Sequence, residues 1–228
     1  MTRTGLLVWL PQEVARDEGM VNVLVQRFNE GGPSWMWPIL VCFILGLALS
    51  LERVVMLNLA DVNIRKLLDT LRQAWQQGGA TAAEAVCSKA RGPVATVLRA
   101  GLMRHPEGIA AVEKAIVATG SIASSYLERG LVWISLFISL APMLGFLGTV
   151  VGMVEAFDAI QQAGDISPTL VAGGIKVALL TTVFGLIVAM VLQFFYNYII
   201  SRIDRIVMDM EEASAEFVDL LATPSGDS

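Results

Sequence analysis

The sequence predicts an all-α membrane protein with three transmembrane helices and long helical extensions on one side of the bilayer. Composition is the first reason: 55% of the residues are hydrophobic, 16% are charged, and the mean hydropathy is +0.63, too apolar for an ordinary soluble domain. The second is a set of three apolar runs, at residues 35–57, 131–157 and 169–200, each longer than the roughly 20 residues that cross a bilayer. The third is periodicity: outside these runs, apolar residues recur at helical spacing, with no sustained strand-like alternation.

Charge placement orients the spans. The net charge is −5, but the distribution says more than the sum. Residues 58–130 hold Arg65, Lys66, Arg72, Lys89, Arg91, Arg99, Arg104, Lys114 and Arg129, whereas the link at 158–168 holds no Lys or Arg. Positive charge stays on the cytoplasmic side. The long segment is therefore expected inside, the short link and the N-terminus outside, and the C-terminus inside.

Taken in order, residues 1–34 form an outer, periplasmic segment. The apolar stretch at 5–10 follows Arg3 but meets Pro11 too soon for a signal peptide; a truncated or divergent signal is the alternative. Residues 20–30 have the pattern of a short amphipathic helix lying on the outer surface, which Gly31, Gly32 and Pro33 end. Trp35 and Trp37 are suited to anchor the first span, 35–57, at the interface, and Glu52 with Arg53 marks its exit at the inner headgroups.

In the cytoplasmic segment, 58–130, Ile64, Leu67, Leu68, Leu71 and Trp75 define a helix that Gly78 and Gly79 break. A short helix at 81–90 follows, then Gly92-Pro93, another short helix, and His105-Pro106. From near Glu107 a helix is expected to run without a break into the second span, 131–157, for about 50 residues or about 75 Å, kinked at Pro142. The periplasmic link, 158–168, leads to the third span, 169–200. That helix continues into the C-terminal segment, 201–228, with a heptad seam through Ile199, Ile203, Ile206, Met210, Ala213, Phe217 and Leu220. The Pro, Gly and Ser of residues 223–228 suggest a disordered tail.

Little points to catalysis. Cys42 and Cys87 fall in different solvents and read as free thiols, His105 stands alone, and there is no nucleotide-binding loop. We expect no enzyme activity, catalytic residue, cofactor, metal site or nucleic-acid partner.

The chemistry lies inside the apolar runs. In the second span Ala141, Gly145 and Thr149 recur every fourth residue, as do Gly148, Gly152 and Ala156. In the third, Gly174, Ala178 and Thr182 do the same, with Gly185 and Ala189 continuing that side. Small residues four apart let helices approach closely. Each helix thus offers a packing face (Gly145, Gly148 and Gly152; Gly174, Ala178 and Gly185) containing one hydroxyl. Hydroxyls pass a proton or order a water but hold no charge at neutral pH, so Thr149 and Thr182 alone lack a titrating carboxylate, which a partner could bring. The bland alternative is a threonine bonded to its own helix. Two charges remain, Glu155 and Lys176. Each lies about 9 Å along its helix from its threonine, so an ion pair between them, within or between subunits, is one expectation. Separate snorkelling to the outer interface is the second, and a role for Glu155 in ion relay is the third.

These stretches carry a family resemblance. Residues 142–157 (PMLGFLGTVVGMVEAF) resemble the second-span motif of the ExbB/TolQ/MotA proton-channel family, closest to ExbB, and residues 174–186 (GIKVALLTTVFGL) resemble its third-span motif. Leu51-Glu52-Arg53 is similar to the exit of its first span. The resemblance implies a homopentameric ring in the bacterial inner membrane around a dimer of an ExbD-like single-span protein. The partner's Asp would face Thr149 and Thr182, and proton flow would do work through a TonB-like protein for outer-membrane transport. A TolQ-like envelope-maintenance or gliding role is the alternative within the family, and a non-conducting scaffold the alternative outside it. Many members carry a Glu early in the third span where this chain has Val177 beside Lys176, which leaves H⁺ against Na⁺ open, with H⁺ favoured.

Overall fold

A computed structural model describes residues 20–60, 64–164 and 168–222. The expectations for the stretch at 5–10 and for the tail at 223–228 lie outside the described residues, as does the middle of the link at 158–168. Every regular element among the described residues is helical: α1 (Met20–Glu30), α2 (Pro33–Ala60), α3 (Ile64–Lys89), α4 (Pro93–Met103), a single turn at His105–Glu107, α5 (Ile109–Glu128), α6 (Leu131–Ala163) and α7 (Pro168–Ala222). Three helical stretches are long and apolar enough to cross a membrane; their apolar parts belong to α2, α6 and α7.

The breaks follow backbone chemistry. α3 is kinked at Gly79, whose φ of 60° and ψ of −148° suit glycine alone. α4 begins at Pro93, where the missing N–H costs nothing. The single 50-residue helix expected from near Glu107 is corrected to two. α5 ends at Glu128, Arg129 turns to ψ 127°, and Gly130 takes φ 91° before α6 starts. One glycine between two apolar stretches is a weak break in the sequence, but its left-handed conformation is enough to stop the hydrogen-bond ladder.

The chain divides into two compact units, one comprising residues up to Val41 and Ala141–Val188, the other Cys42–Leu140 and α7 from Ala189 onward. In the second unit, Leu67, Leu71, Cys87, Leu98, Val112, Ile116 and Leu127 bury themselves with Ile199, Ile203, Ile206, Met210, Ala213 and Phe217 of α7. Burial of this apolar surface stabilises at about 25 cal/mol per Å². The seam ends on Leu221, 8% exposed, and not on Leu220, which is half-buried. The four-residue step that places Ile203, Met210 and Phe217 repeats once more from Phe217 and so reaches Leu221. Arg53, at the end of the first apolar run, is folded inward with its side chain 12% exposed and lies 3.7 Å from Glu52. Its guanidinium covers the α5–α6 break, where a Cβ on Gly130 would lie 3.1 Å from Arg53 Nε.

In the first unit α6 and α7 pack through small residues, and α1 lies against α7. The Phe28 ring meets Trp37 and Phe184 edge-on, with centroids 6.0 and 6.4 Å apart.

Candidate functional site

The α6–α7 seam of the first unit is close because it has almost no side chains. A Cβ on Gly174 would lie 2.3 Å from Ala156 Cβ, and one on Gly185 2.6 Å from the Ala141 carbonyl oxygen. Gly145 and Gly148 face Thr181, where an added Cβ would come within 2.9 Å of its carbonyl oxygen and its Cβ, respectively. Gly152 is looser, 3.5 Å from Ala178. Ala178 itself is 1% exposed.

Three hydroxyls enter this seam. Thr149 and Thr182 stand side by side, their Oγ1 atoms in direct hydrogen-bond contact. Thr149 Oγ1 is also 3.0 Å from the Ala178 carbonyl oxygen and 3.2 Å from that of Gly145, and Thr182 Oγ1 is 3.2 Å from the same Gly145 oxygen. Two hydroxyl protons therefore serve three acceptor arrangements. Either threonine can donate to the other while the second donates to a carbonyl, so the pair has two hydrogen-bond directions. Both side chains are half-buried at the edge of the seam.

The third hydroxyl belongs to Thr181, which as the neighbour of Thr182 points about 100° away around α7. It is 0% exposed and donates to the Ala178 carbonyl at 2.7 Å, with the Gly145 carbonyl at 3.3 Å. The signal for it was a change of step. Ala178, Gly185, Leu192 and Ile199 are buried at every seventh residue. From Ile199 onward the companion positions lie four residues later, but in the first unit Thr181 and Val188 are buried three residues later. Both steps border the same central line on a helix of 3.6 residues per turn.

The expected ion pair between Glu155 and Lys176 is replaced, within the chain, by another. Lys176 Nζ lies 3.0 Å from a Glu30 carboxylate oxygen, while Glu155 is exposed and enters no ion pair among the described residues. Equal distance from the two threonines did not make these side chains neighbours, because both leave the seam side of their helices and α1 delivers a nearer carboxylate. Glu30 also holds Arg27 at 2.9 Å. The hydrogen bond from Lys176, aided by Arg27, keeps the Glu30 carboxyl below its ordinary value.

Among the described residues no group of three His, Cys, Asp or Glu side chains is placed to hold a metal ion. Cys42 and Cys87 are both buried free thiols.

Comparison with known proteins adds an independent line. Residues 89–212 match the model of the MotA/TolQ/ExbB proton channel family. The chain is 31% identical over 184 residues to a biopolymer transport protein ExbB homolog of Methanothermobacter thermautotrophicus, an alignment covering 80% of this chain and 65% of that protein. It is 30% identical to the biopolymer transport protein ExbB-like 1 of Synechocystis over 78% of this chain and 71% of the relative. The Tol-Pal system protein TolQ of Haemophilus influenzae is 33% identical over 95 residues, 42% of each chain. The alignment thus spans just under two thirds of the Methanothermobacter protein.

Proposed function

Since this chain belongs to the MotA/TolQ/ExbB proton channel family, we propose that it is an ExbB-like stator subunit that couples proton flow across the inner membrane to work on a TonB-like partner. Three long apolar helices and the family together make it a multi-pass inner-membrane protein. In the proposed assembly, five copies surround a dimer of an ExbD-like single-span protein, with the N-terminus periplasmic and the C-terminus cytoplasmic.

The observation that carries the reading is the Thr149–Thr182 pair. The close approaches around Gly145, Gly148, Gly152, Gly174 and Gly185 are made by glycine, alanine, the sealed Thr181 or the Thr182 backbone, and packing alone would accept alanine at positions 149 and 182. Instead two hydroxyls meet at the half-buried edge, where a carboxylate on a neighbouring helix could exchange a hydrogen bond with them. The titrating group comes from the partner, and the threonines orient its proton or an ordered water. Each proton crossing supplies about 2.3 kcal/mol per 100 mV of membrane potential.

One observation favours a scaffold instead: both hydroxyls also reach carbonyl oxygens of their own helix pair, as structural membrane threonines do. The similarity to TolQ keeps an envelope-maintenance role as the alternative within the family.

The test is co-purification with an ExbD-like single-span protein from the same organism, followed by native mass spectrometry. Five copies with two partner chains are expected. An assembly that never takes up such a partner would remove the titrating group and overturn the conducting reading.

A further inference from the structure

Lys176 is an odd residue for the mouth of a cation route. It lies six residues from Thr182 on α7, about 9 Å along the axis. That axial rise is a lower bound on the separation, so an uncompensated positive charge there, at an effective dielectric near 20, lowers cation occupancy by at most on the order of tenfold. The structure supplies a compensating group from a distant part of the chain. Glu30, the last residue of α1, puts a carboxylate oxygen 3.0 Å from Lys176 Nζ. Its placement rests on more than the ion pair. The Phe28 ring packs edge-on against Phe184 of α7, and a Cβ on Gly32 would lie 3.3 Å from Val177. Phe28, Glu30 and Gly32 thus fix the end of α1 along one stretch of α7.

We propose that Glu30 is a positioning residue for the ion route, and that the end of α1 holds its carboxylate on Lys176 so that the positive charge facing the approach to Thr149 and Thr182 is reduced by one. This inference rests on the conducting function proposed above. The carboxylate is shared with Arg27 at 2.9 Å, so the three charges sum to +1 and Glu30 lowers the positive field of Lys176 without cancelling it. Lys176 is the charge that matters, because α7 carries it at a fixed axial distance from Thr182. Its side chain is 49% exposed, so solvent screens part of the effect, and a change of about three- to tenfold in ion flow is expected.

The experiment compares proton uptake into proteoliposomes holding the complex of this chain with its single-span partner, for wild type, Glu30→Gln, Lys176→Gln and the double variant. Glu30→Gln is expected to cut uptake about three- to tenfold. Lys176→Gln is expected to stay near wild type, and adding it to Glu30→Gln is expected to restore most of the loss. Cross-linking of a Glu30→Cys/Lys176→Cys chain in the same membranes reads the docking of α1 independently of transport. Unchanged uptake in Glu30→Gln overturns the inference and leaves the conducting function standing. A double variant as slow as Glu30→Gln also overturns it, since loss of docking and not of charge would then be the cause. Wild-type vesicles that take up no protons remove the conducting function and this inference with it.

Discussion

At the scale of single residues, three threonines within one seam have different surroundings and should respond differently. Thr149 and Thr182 are half-buried and bonded to each other, so replacing both by alanine is expected to leave assembly intact and abolish proton uptake. A doubly substituted complex that still takes up protons would support the scaffold. Thr181 is sealed, and its hydroxyl bonds the Ala178 carbonyl at 2.7 Å. Thr181→Val keeps the shape and removes the bond, so it should lower the stability of the purified complex by about 0.6 kcal/mol, the average measured for hydrogen bonds between membrane helices, and by no more than about 1.7 kcal/mol. Cys87, 2% exposed beside Leu71 and Ala83 in the apolar cluster of the second unit, should resist iodoacetamide in the native protein and react fully after denaturation, read site by site by mass spectrometry. The sequence made Thr149 and Thr182 visible because each sits in a run of small residues. It hid Thr181 because a fourfold count looks along one ridge of the helix, while the buried line of α7 steps by three and four.

At the scale of elements, the glycines grade the α6–α7 contact. Gly152→Ala puts a methyl 3.5 Å from Ala178, an ordinary contact, and should be tolerated. Gly174→Ala would collide with Ala156 at 2.3 Å, and Gly185→Ala with a backbone oxygen at 2.6 Å. Neither obstacle is the flexible end of a side chain, so the helices must move apart and lose contacts along the seam. The two tight variants are expected to purify with less bound partner and a lower melting temperature than Gly152→Ala. Equal behaviour of all three would argue that the seam is looser than its geometry. The same scale shows what periodicity can carry. The α7 seam from Ile199 to Phe217 was legible because its positions are apolar, and all but Ala213 large, against a charged background. The α5–α6 break was not, since a single glycine after Glu128 and Arg129 is a weak stop, and it is the backbone turn of Arg129 with the φ of 91° at Gly130 that marks the joint. The Glu30–Lys176 pair joins residues far apart in the chain, and no local pattern encodes such a pairing.

At the scale of the whole molecule, orientation decides what every charge means. α7 has 55 residues, against the roughly 20 that cross a bilayer, so most of its length is not needed for a span. Its apolar part ends where Arg202 and Arg205 begin, and the Lys and Arg residues of 58–130 are expected on that same side. The link at 158–168, free of Lys and Arg, is expected on the other. Asp158, which is exposed, is a suitable reporter. Asp158→Cys in a Cys42→Ala/Cys87→Ala background should react with a membrane-impermeant maleimide in cells whose outer envelope alone is opened. A cysteine replacing the exposed Arg99 should react only after the inner membrane is broken. The reverse pattern would put the link, and with it Glu30 and Lys176, in the cytoplasm. Glu30 would then guard an exit and not an entrance, and the direction in which a partner carboxylate is loaded would have to be inverted. The ion pair sets one further limit on that measurement. A carboxyl held below its ordinary value of 4.5 adds stability that is present above that value and is lost as the pH falls through the lower folded one. Between pH 6 and 8 α1 should therefore stay in one docked state, and only acid below pH 4.5 should weaken the pair.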